Sequence, residues 1–130
     1  TKIANAKLIR MIRANELRIG NYVNITYLLT GKNRVSTIGC QDIVKINDHM
    51  LQTFNYSPIA ITKEWLLKFG FIPMHGTNGN HYRLGLHFIM IDGLNDFYFM
   101  LGRGMTIEIK YVHQLQNLYF ALTQTELTIL

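Results

Sequence analysis

The chain has 130 residues and a formal net charge of +5, with 48% hydrophobic and 16% charged residues. This balance excludes a disordered chain, and apolar runs such as residues 97–101 are far shorter than the ~20 residues of a membrane-spanning helix. The single cysteine, Cys40, excludes an internal disulfide and a zinc site built from cysteines. We therefore expect a soluble protein of the cytoplasm.

The positive charge is concentrated at the N-terminus. Lys2, Lys7 and Arg10 lie in residues 1–10, which contain no acid, so without this segment the net charge falls from +5 to +2. Residues 1–10 are either an N-terminal helix or an extension, and we expect residues 11–130 to form a single α+β domain. Basicity alone is therefore a poor indicator of a nucleic-acid partner.

The first half of the chain has the pattern of short antiparallel strands. Residues 15–17 predict a turn or short helix, and residues 18–27 a strand with one buried face, because apolar and polar residues alternate. Turn residues at 31–33 lead to a return strand at 34–38 and a third strand at 41–47. Close strand spacing favours an SH3-like barrel or a meandering antiparallel sheet.

A short central helix follows. Thr62 is a suitable N-cap for a helix over residues 63–69, and Gly70 is suited to the position after its C-cap. Residues 57–62 form a seam between the two halves that is too short for a linker, so we treat the halves as one unit. Residues 73–80 are rich in glycine and asparagine and predict a loop.

The second half predicts another antiparallel sheet and a C-terminal helix. Strands are expected at 81–91, 97–101 and 105–109, separated by turn residues. One side of the final helix is apolar: Val112, Leu115, Leu118, Tyr119 and Leu122. The simplest interpretation is a core helix packed on the second sheet. The alternative is that Tyr111, His113 and Gln116, off this stripe, line a partner or ligand surface.

Two segments carry a resemblance to known sequences. Residues 14–23 read ANELRIGNYV, and residues 109–123 read IKYVHQLQNLYFALT. The chain resembles a family of small uncharacterised proteins encoded by Bacteroidota and by their phages and mobile elements. This resemblance implies an accessory protein that acts inside a bacterial host cell, and it names no reaction.

Metal and cofactor motifs are absent from the sequence. The histidines have no metal-binding spacing: His49, His75, His81, His87 and His113. On one uninterrupted strand His81 and His87 would face the same way, but a third ligand is missing. No phosphate-binding glycine loop and no G-x-S-x-G occurs. We expect neither a metal nor a cofactor.

One pattern is similar to that of metal-dependent nucleases. Asp92 or Asp96, followed by Glu108 and Lys110, supplies two carboxylates for Mg²⁺ and a lysine to stabilise developing charge. However, aspartates are expected beside a turn, and an acid-x-lysine pair arises easily by chance. These three positions, Asp92, Glu108 and Lys110, are the catalytic candidates of the chain.

Nucleotide or nucleic-acid binding is the other chemical alternative. Aromatic rings and guanidinium groups that stack on bases are supplied by Tyr22, Tyr27, Arg34, Tyr56, Tyr82, Arg83 and Arg103. Half-buried strand tyrosines are the simpler explanation for most of these rings. We favour a non-catalytic binding module whose partner is a protein, a nucleotide, a nucleic acid or a second copy of the chain, with a magnesium-dependent nuclease as a further alternative.

Overall fold

The computed structural model describes residues 12–47, 54–93 and 95–130. The predictions for residues 1–10 and for His49 lie outside the described residues. The chain divides into two compact units, Thr1–Ile59 and Ala60–Leu130, and the boundary falls inside the predicted seam. Within the described ranges, no helix has the length and apolar character needed to cross a membrane.

The first unit contains a three-stranded antiparallel sheet and one α-helix. After a 3-10 turn at Ala14–Glu16, its elements are β1 Tyr22–Tyr27, β2 Asn33–Thr37, α1 Cys40–Asn47 and β3 Phe54–Ser57. The strand order is β2-β1-β3, so the first strand lies in the centre. The α+β prediction is confirmed, but these strands form an open sheet and no closed barrel.

The core of the first unit follows from the alternation in β1. Val23 and Ile25 are buried, whereas Tyr22 and Asn24 on the other face are half-buried. The buried apolar cluster consists of Ile12, Leu17, Val23, Ile25, Ile38, Ile46 and Tyr56. The inward-facing side chains of the central strand β1 therefore form part of the core of this unit.

The prediction of a strand at residues 41–47 was wrong, because this segment is α1. The backbone N–H of Gly39 donates to Oδ2 of Asp42 at 2.8 Å, which satisfies a donor at the start of the helix. Ile43 and Ile46 are three apart and face the core, while Val44 is exposed. Over seven residues, this helical spacing is hard to distinguish from a strand pattern.

The second unit is built on a five-stranded antiparallel sheet in the order β4-β5-β6-β7-β8. Its elements are α2 Lys63–Lys68, β4 Ile72–Pro73, β5 His81–Leu84, β6 His87–Asp92, β7 Asp96–Gly102, β8 Met105–Ile109 and α3 Val112–Thr123. The helix caps agree with prediction: the Thr62 hydroxyl accepts a hydrogen bond from the Trp65 N–H at 3.3 Å, and Gly70 has φ +94°.

The predicted single strand at 81–91 is in fact two strands. Gly85, at φ +59°, and Leu86 form a turn between β5 and β6. His81 pairs with Met90 and His87 pairs with Leu84, so the two histidines lie on opposite faces of the sheet. Their predicted alignment was wrong because the glycine reverses the chain.

The C-terminal helix is confirmed, but its buried side differs from the predicted stripe. The fully buried positions are Val112, His113, Leu115 and Gln116. Leu122, which ends the predicted stripe, is 48% exposed. The helix ends at Thr123, and Gln124 adopts the left-handed conformation, with φ 60°.

Candidate functional site

The second unit carries an apolar pocket of about 410 Å³ where β6 begins and β7 ends. Its walls come from the β5–β6 turn, the end of β7, the β7–β8 turn and the end of α3. The lining includes Leu86, His87, Leu101, Arg103, Met105 and Leu122, and we call it the Arg103 pocket. Its volume is in the range of small-molecule sites, which span about 300–1,000 Å³.

Five large apolar side chains of the Arg103 pocket remain open to solvent. Their exposed fractions are 89% for Leu86, 36% for Met100, 37% for Leu101, 61% for Met105 and 48% for Leu122. A single exposed leucine is ordinary on a protein surface, but several around one concavity mark an interaction site. The apolar surface left open here favours binding of an apolar group.

Arg103 occupies an unusual backbone position. Gly102 pairs with Met105, so Arg103 and Gly104 are the two loop residues of the β7–β8 hairpin. Their φ angles are +53° and +74°, as type I′ hairpin turns require. Asparagine and glycine are the usual residues at such positions, because a β-carbon is strained there. The turn thus holds the one charged side chain of the pocket lining.

His87 supplies the imidazole of the Arg103 pocket. Its ring centroid lies 5.9 Å from that of Phe99, with the two rings tilted by 34°. The centroid of Tyr119 lies 5.3 Å away, and this contact is edge-on. These two aromatic contacts fix the orientation of the imidazole against the pocket wall. His87 can offer a ligand a hydrogen bond from a defined direction.

The first unit carries a second feature, an aromatic row of Tyr27, Phe54 and Tyr56. The centroids of neighbouring rings lie 6.0 Å and 5.8 Å apart, in edge-on geometry. The guanidinium carbon of Arg34 lies 5.8 Å from the Tyr27 centroid, and the Lys45 ammonium lies 5.3 Å from that of Phe54. Tyr56 is buried, so Tyr27 and Phe54 are the rings of this row that a base can reach. Rings combined with cations are typical of surfaces that stack on bases.

Several predicted site residues are not on open surfaces. Tyr82 is 5% exposed, His113 1% and Gln116 0%, so these three side chains do not line a surface for a ligand or partner. Tyr111 is half-buried at the start of α3, where its ring stacks on His113 with a centroid distance of 5.8 Å. His113 and Gln116, which lie off the predicted apolar stripe of α3, are thus part of the packed interior.

The remaining predicted residues are spread over both units. Arg34 joins the aromatic row, whereas Tyr22 lies on the opposite face of β1 from Tyr27, because side chains alternate along a strand. Arg83 is exposed on β5, and Arg103 is exposed in the β7–β8 turn. Tyr22 and Arg34 thus belong to the first unit, and Arg83 and Arg103 to the second.

The nuclease candidates share one face of the second sheet. Asp92 pairs with Asp96, and Glu108 pairs with Tyr98. The pKa of Tyr98 is raised, mainly by desolvation and to a smaller extent by the negative charges of Asp96, Glu108 and Asp92. Lys110 is exposed just after β8. Across residues 12–47, 54–93 and 95–130, no group of three histidine, cysteine, aspartate or glutamate side chains is placed to hold a metal ion.

Sequence reasoning singled out Arg103 but missed the apolar residues around it. The turn Gly102-Arg103-Gly104 was the available signal, since an arginine between two glycines is a poor choice for a tight turn. Leu86, Met105 and Leu122 are far apart in the sequence, and they come together only through the sheet register and the position of α3. No protein-family model, no curated protein and no solved structure matches this chain.

Proposed function

We propose that this chain is a non-catalytic binding module that holds its ligand in the Arg103 pocket. The observation that carries this proposal is the clustering of five exposed apolar side chains around one pocket. Burying apolar surface is favourable by about 25 cal/mol per Å², so a ligand that covers these side chains gains binding free energy. The described residues of the lining are mostly aliphatic and aromatic, as in sites that bind small ligands.

The biological setting is a further part of the proposal. The resemblance of residues 14–23 and 109–123 supports an accessory protein of a phage or mobile element, acting in the cytoplasm of a bacterial host. Such a module would bind a host or phage component and thereby change its availability. The pocket is the place on the second unit where that component would be held.

A neutral fluorescent probe tests the pocket. Nile red should gain fluorescence on binding to the purified full chain, because its emission rises in apolar surroundings. Leu122→Glu places a charge in the pocket and should abolish the gain. Leu67→Glu is a matched control, since Leu67 is a leucine on α2 that is 51% exposed and lies outside the pocket. Equal fluorescence for the two variants would contradict the proposal.

A second candidate function is nucleotide or single-stranded nucleic-acid binding by the aromatic row. It is favoured by Tyr27, whose side chain is 38% exposed beneath the Arg34 guanidinium. Fluorescence anisotropy with a labelled oligothymidylate, measured at increasing salt, tests it. Arg34→Ala should weaken binding and reduce its salt dependence, whereas Arg83→Ala removes an equal charge from the second unit and should not. Equal losses in both variants would indicate only nonspecific attraction.

A further inference from the structure

We infer that the ligand of the Arg103 pocket is an amphipathic anion, an aliphatic chain that ends in a carboxylate. This inference rests on the proposed function and adds the chemical class of the ligand. The apolar chain would pack on Leu86, Met105 and Leu122, which are all exposed. The carboxylate would bind the guanidinium of Arg103 and leave the aliphatic end in the pocket.

The charge of the pocket supports an anion. Among the lining residues that the structure describes, Arg103 is the one charged residue, and none is a carboxylate that would neutralise it. Of the described acids of the second sheet, Asp92 and Asp96 lie at the other end of the strands, six residues of β7 from Gly102, and Glu108 pairs with Tyr98, four residues from Gly102. Four to six residues of strand span roughly 13–20 Å. These separations exceed the Debye length of ~8 Å at physiological salt, so these acids neutralise Arg103 little.

The number of cations favours a carboxylate over a phosphate. One guanidinium matches a single carboxylate in a two-pronged hydrogen-bonded pair, whereas a doubly charged phosphate is better held by several cations. The apolar side chains beside Arg103 lower the local dielectric constant and strengthen the pair. His87, fixed by Phe99 and Tyr119, adds a hydrogen-bonding group at the pocket wall.

The backbone of the turn supports a ligand-binding role for Arg103. An asparagine or glycine would suit φ +53° better, so arginine destabilises this hairpin relative to either. The side chain is also exposed and contributes little buried packing. Arg103 thus weakens the turn and lines a pocket, and ligand binding by its side chain best explains why an arginine is present at this position.

Isothermal titration calorimetry of the full chain with two probes tests this inference. Decanoate and decanol share an aliphatic chain and differ in charge. Wild-type protein should bind decanoate at least tenfold more tightly than decanol. Arg103→Asn should abolish that preference, keep decanol binding and raise the thermal midpoint, because asparagine suits the turn. Arg83→Asn, on β5, is the matched control and should keep the preference for decanoate.

The outcomes separate the inference from the proposed function. If the wild type binds both probes equally, or if Arg103→Asn keeps the preference for decanoate, the anionic ligand is wrong while the apolar pocket stands. If neither probe binds and Nile red also fails to respond, the proposed function is wrong as well. A lower thermal midpoint for Arg103→Asn would overturn the argument from turn strain.

Discussion

The hydroxyl of Tyr56 donates a hydrogen bond of 2.5 Å to Oδ1 of Asp42, whose Oδ2 accepts from the backbone N–H of Gly39 at 2.8 Å. One carboxylate thus connects β3 to the start of α1. Tyr56 is also 1% exposed. Burial, followed by the hydrogen bond to Asp42 and its negative charge, raises the pKa of the Tyr56 hydroxyl well above its ordinary value of 10.0.

Removing this hydroxyl should destabilise the protein. Tyr56→Phe keeps the ring in the core but removes the donor, and Asp42 then lacks one partner. A hydrogen bond to a charged group contributes about 1.5–3 kcal/mol, so we expect a loss in unfolding free energy of that order. Urea denaturation at pH 7 measures it. Tyr27→Phe, at a 38% exposed ring of the same sheet, is the control and should have little effect.

The raised pKa of Tyr56 also predicts a dependence of stability on pH. The unfolded chain loses this proton near pH 10, whereas the folded protein retains it. Stability from this group is therefore complete below pH 10 and declines as the pH rises towards the folded-state value. Denaturation at pH 9 and 10.5 should show a smaller decline for Tyr56→Phe than for wild type. Identical declines would mean that Tyr56 does not carry the effect.

The sequence predicted the elements that have long or well-capped patterns. The β1–β2 hairpin, the caps at Thr62 and Gly70, and α3 agree with prediction. The short segment of α1 was read as a strand, because its apolar residues fit both periods and its start depends on the contact of Asp42 with Gly39. The apolar lining of the Arg103 pocket was beyond sequence reasoning, since it depends on the register of the strands and on the position of α3.

The N-cap of α2 provides a prediction that combines stability and pKa. Thr62→Ala should lower the unfolding free energy by about 1 kcal/mol, because the Trp65 N–H loses its acceptor. The pKa of Glu64 is lowered, mainly by a hydrogen bond with the backbone and next by a hydrogen bond with the Thr62 hydroxyl. In Thr62→Ala this pKa should rise towards 4.5, with the backbone contribution retained. An NMR titration of Glu64 measures the change.

The conservative variant Thr62→Ser keeps the hydroxyl and is the control for both effects. Because the pKa of Glu64 is lowered in the folded state, its contribution is present above pH 4.5 and is lost as the pH falls through the folded-state value. The acid sensitivity of Thr62→Ala should therefore be weaker than that of Thr62→Ser. Equal acid sensitivity in the two variants would contradict this account of the cap.

Gly70 should tolerate substitution poorly because of its backbone. At φ +94°, a β-carbon is strained by about 1–2 kcal/mol, and it would lie 3.0 Å from Cδ1 of Leu130. The Leu130 side chain is 91% exposed and can move, so the backbone strain should dominate. Gly79→Ala, at φ +74° with no atom within 4 Å of the added carbon, is the matched control. Thermal denaturation should give similar losses, and a much larger loss for Gly70→Ala would show that Leu130 cannot yield.

Gln116 illustrates how a polar residue can be a core residue. Its side chain is 0% exposed, and Nε2 donates to the carbonyl oxygen of Leu127 at 3.2 Å, which holds the C-terminal segment against α3. Gln116→Leu keeps the volume but leaves that carbonyl without this donor, so we expect a loss of about 1–3 kcal/mol in unfolding free energy, measured by urea denaturation.

Amide hydrogen exchange should also accelerate over residues 125–130 in Gln116→Leu. The control Gln41→Leu, at an exposed position of α1, should change neither the unfolding free energy nor the exchange. Because Gln116 is not in the Arg103 pocket lining, Nile red binding should persist in the folded variant. Unchanged exchange in Gln116→Leu would show that the segment is held by the burial of Leu127 alone, which is 3% exposed.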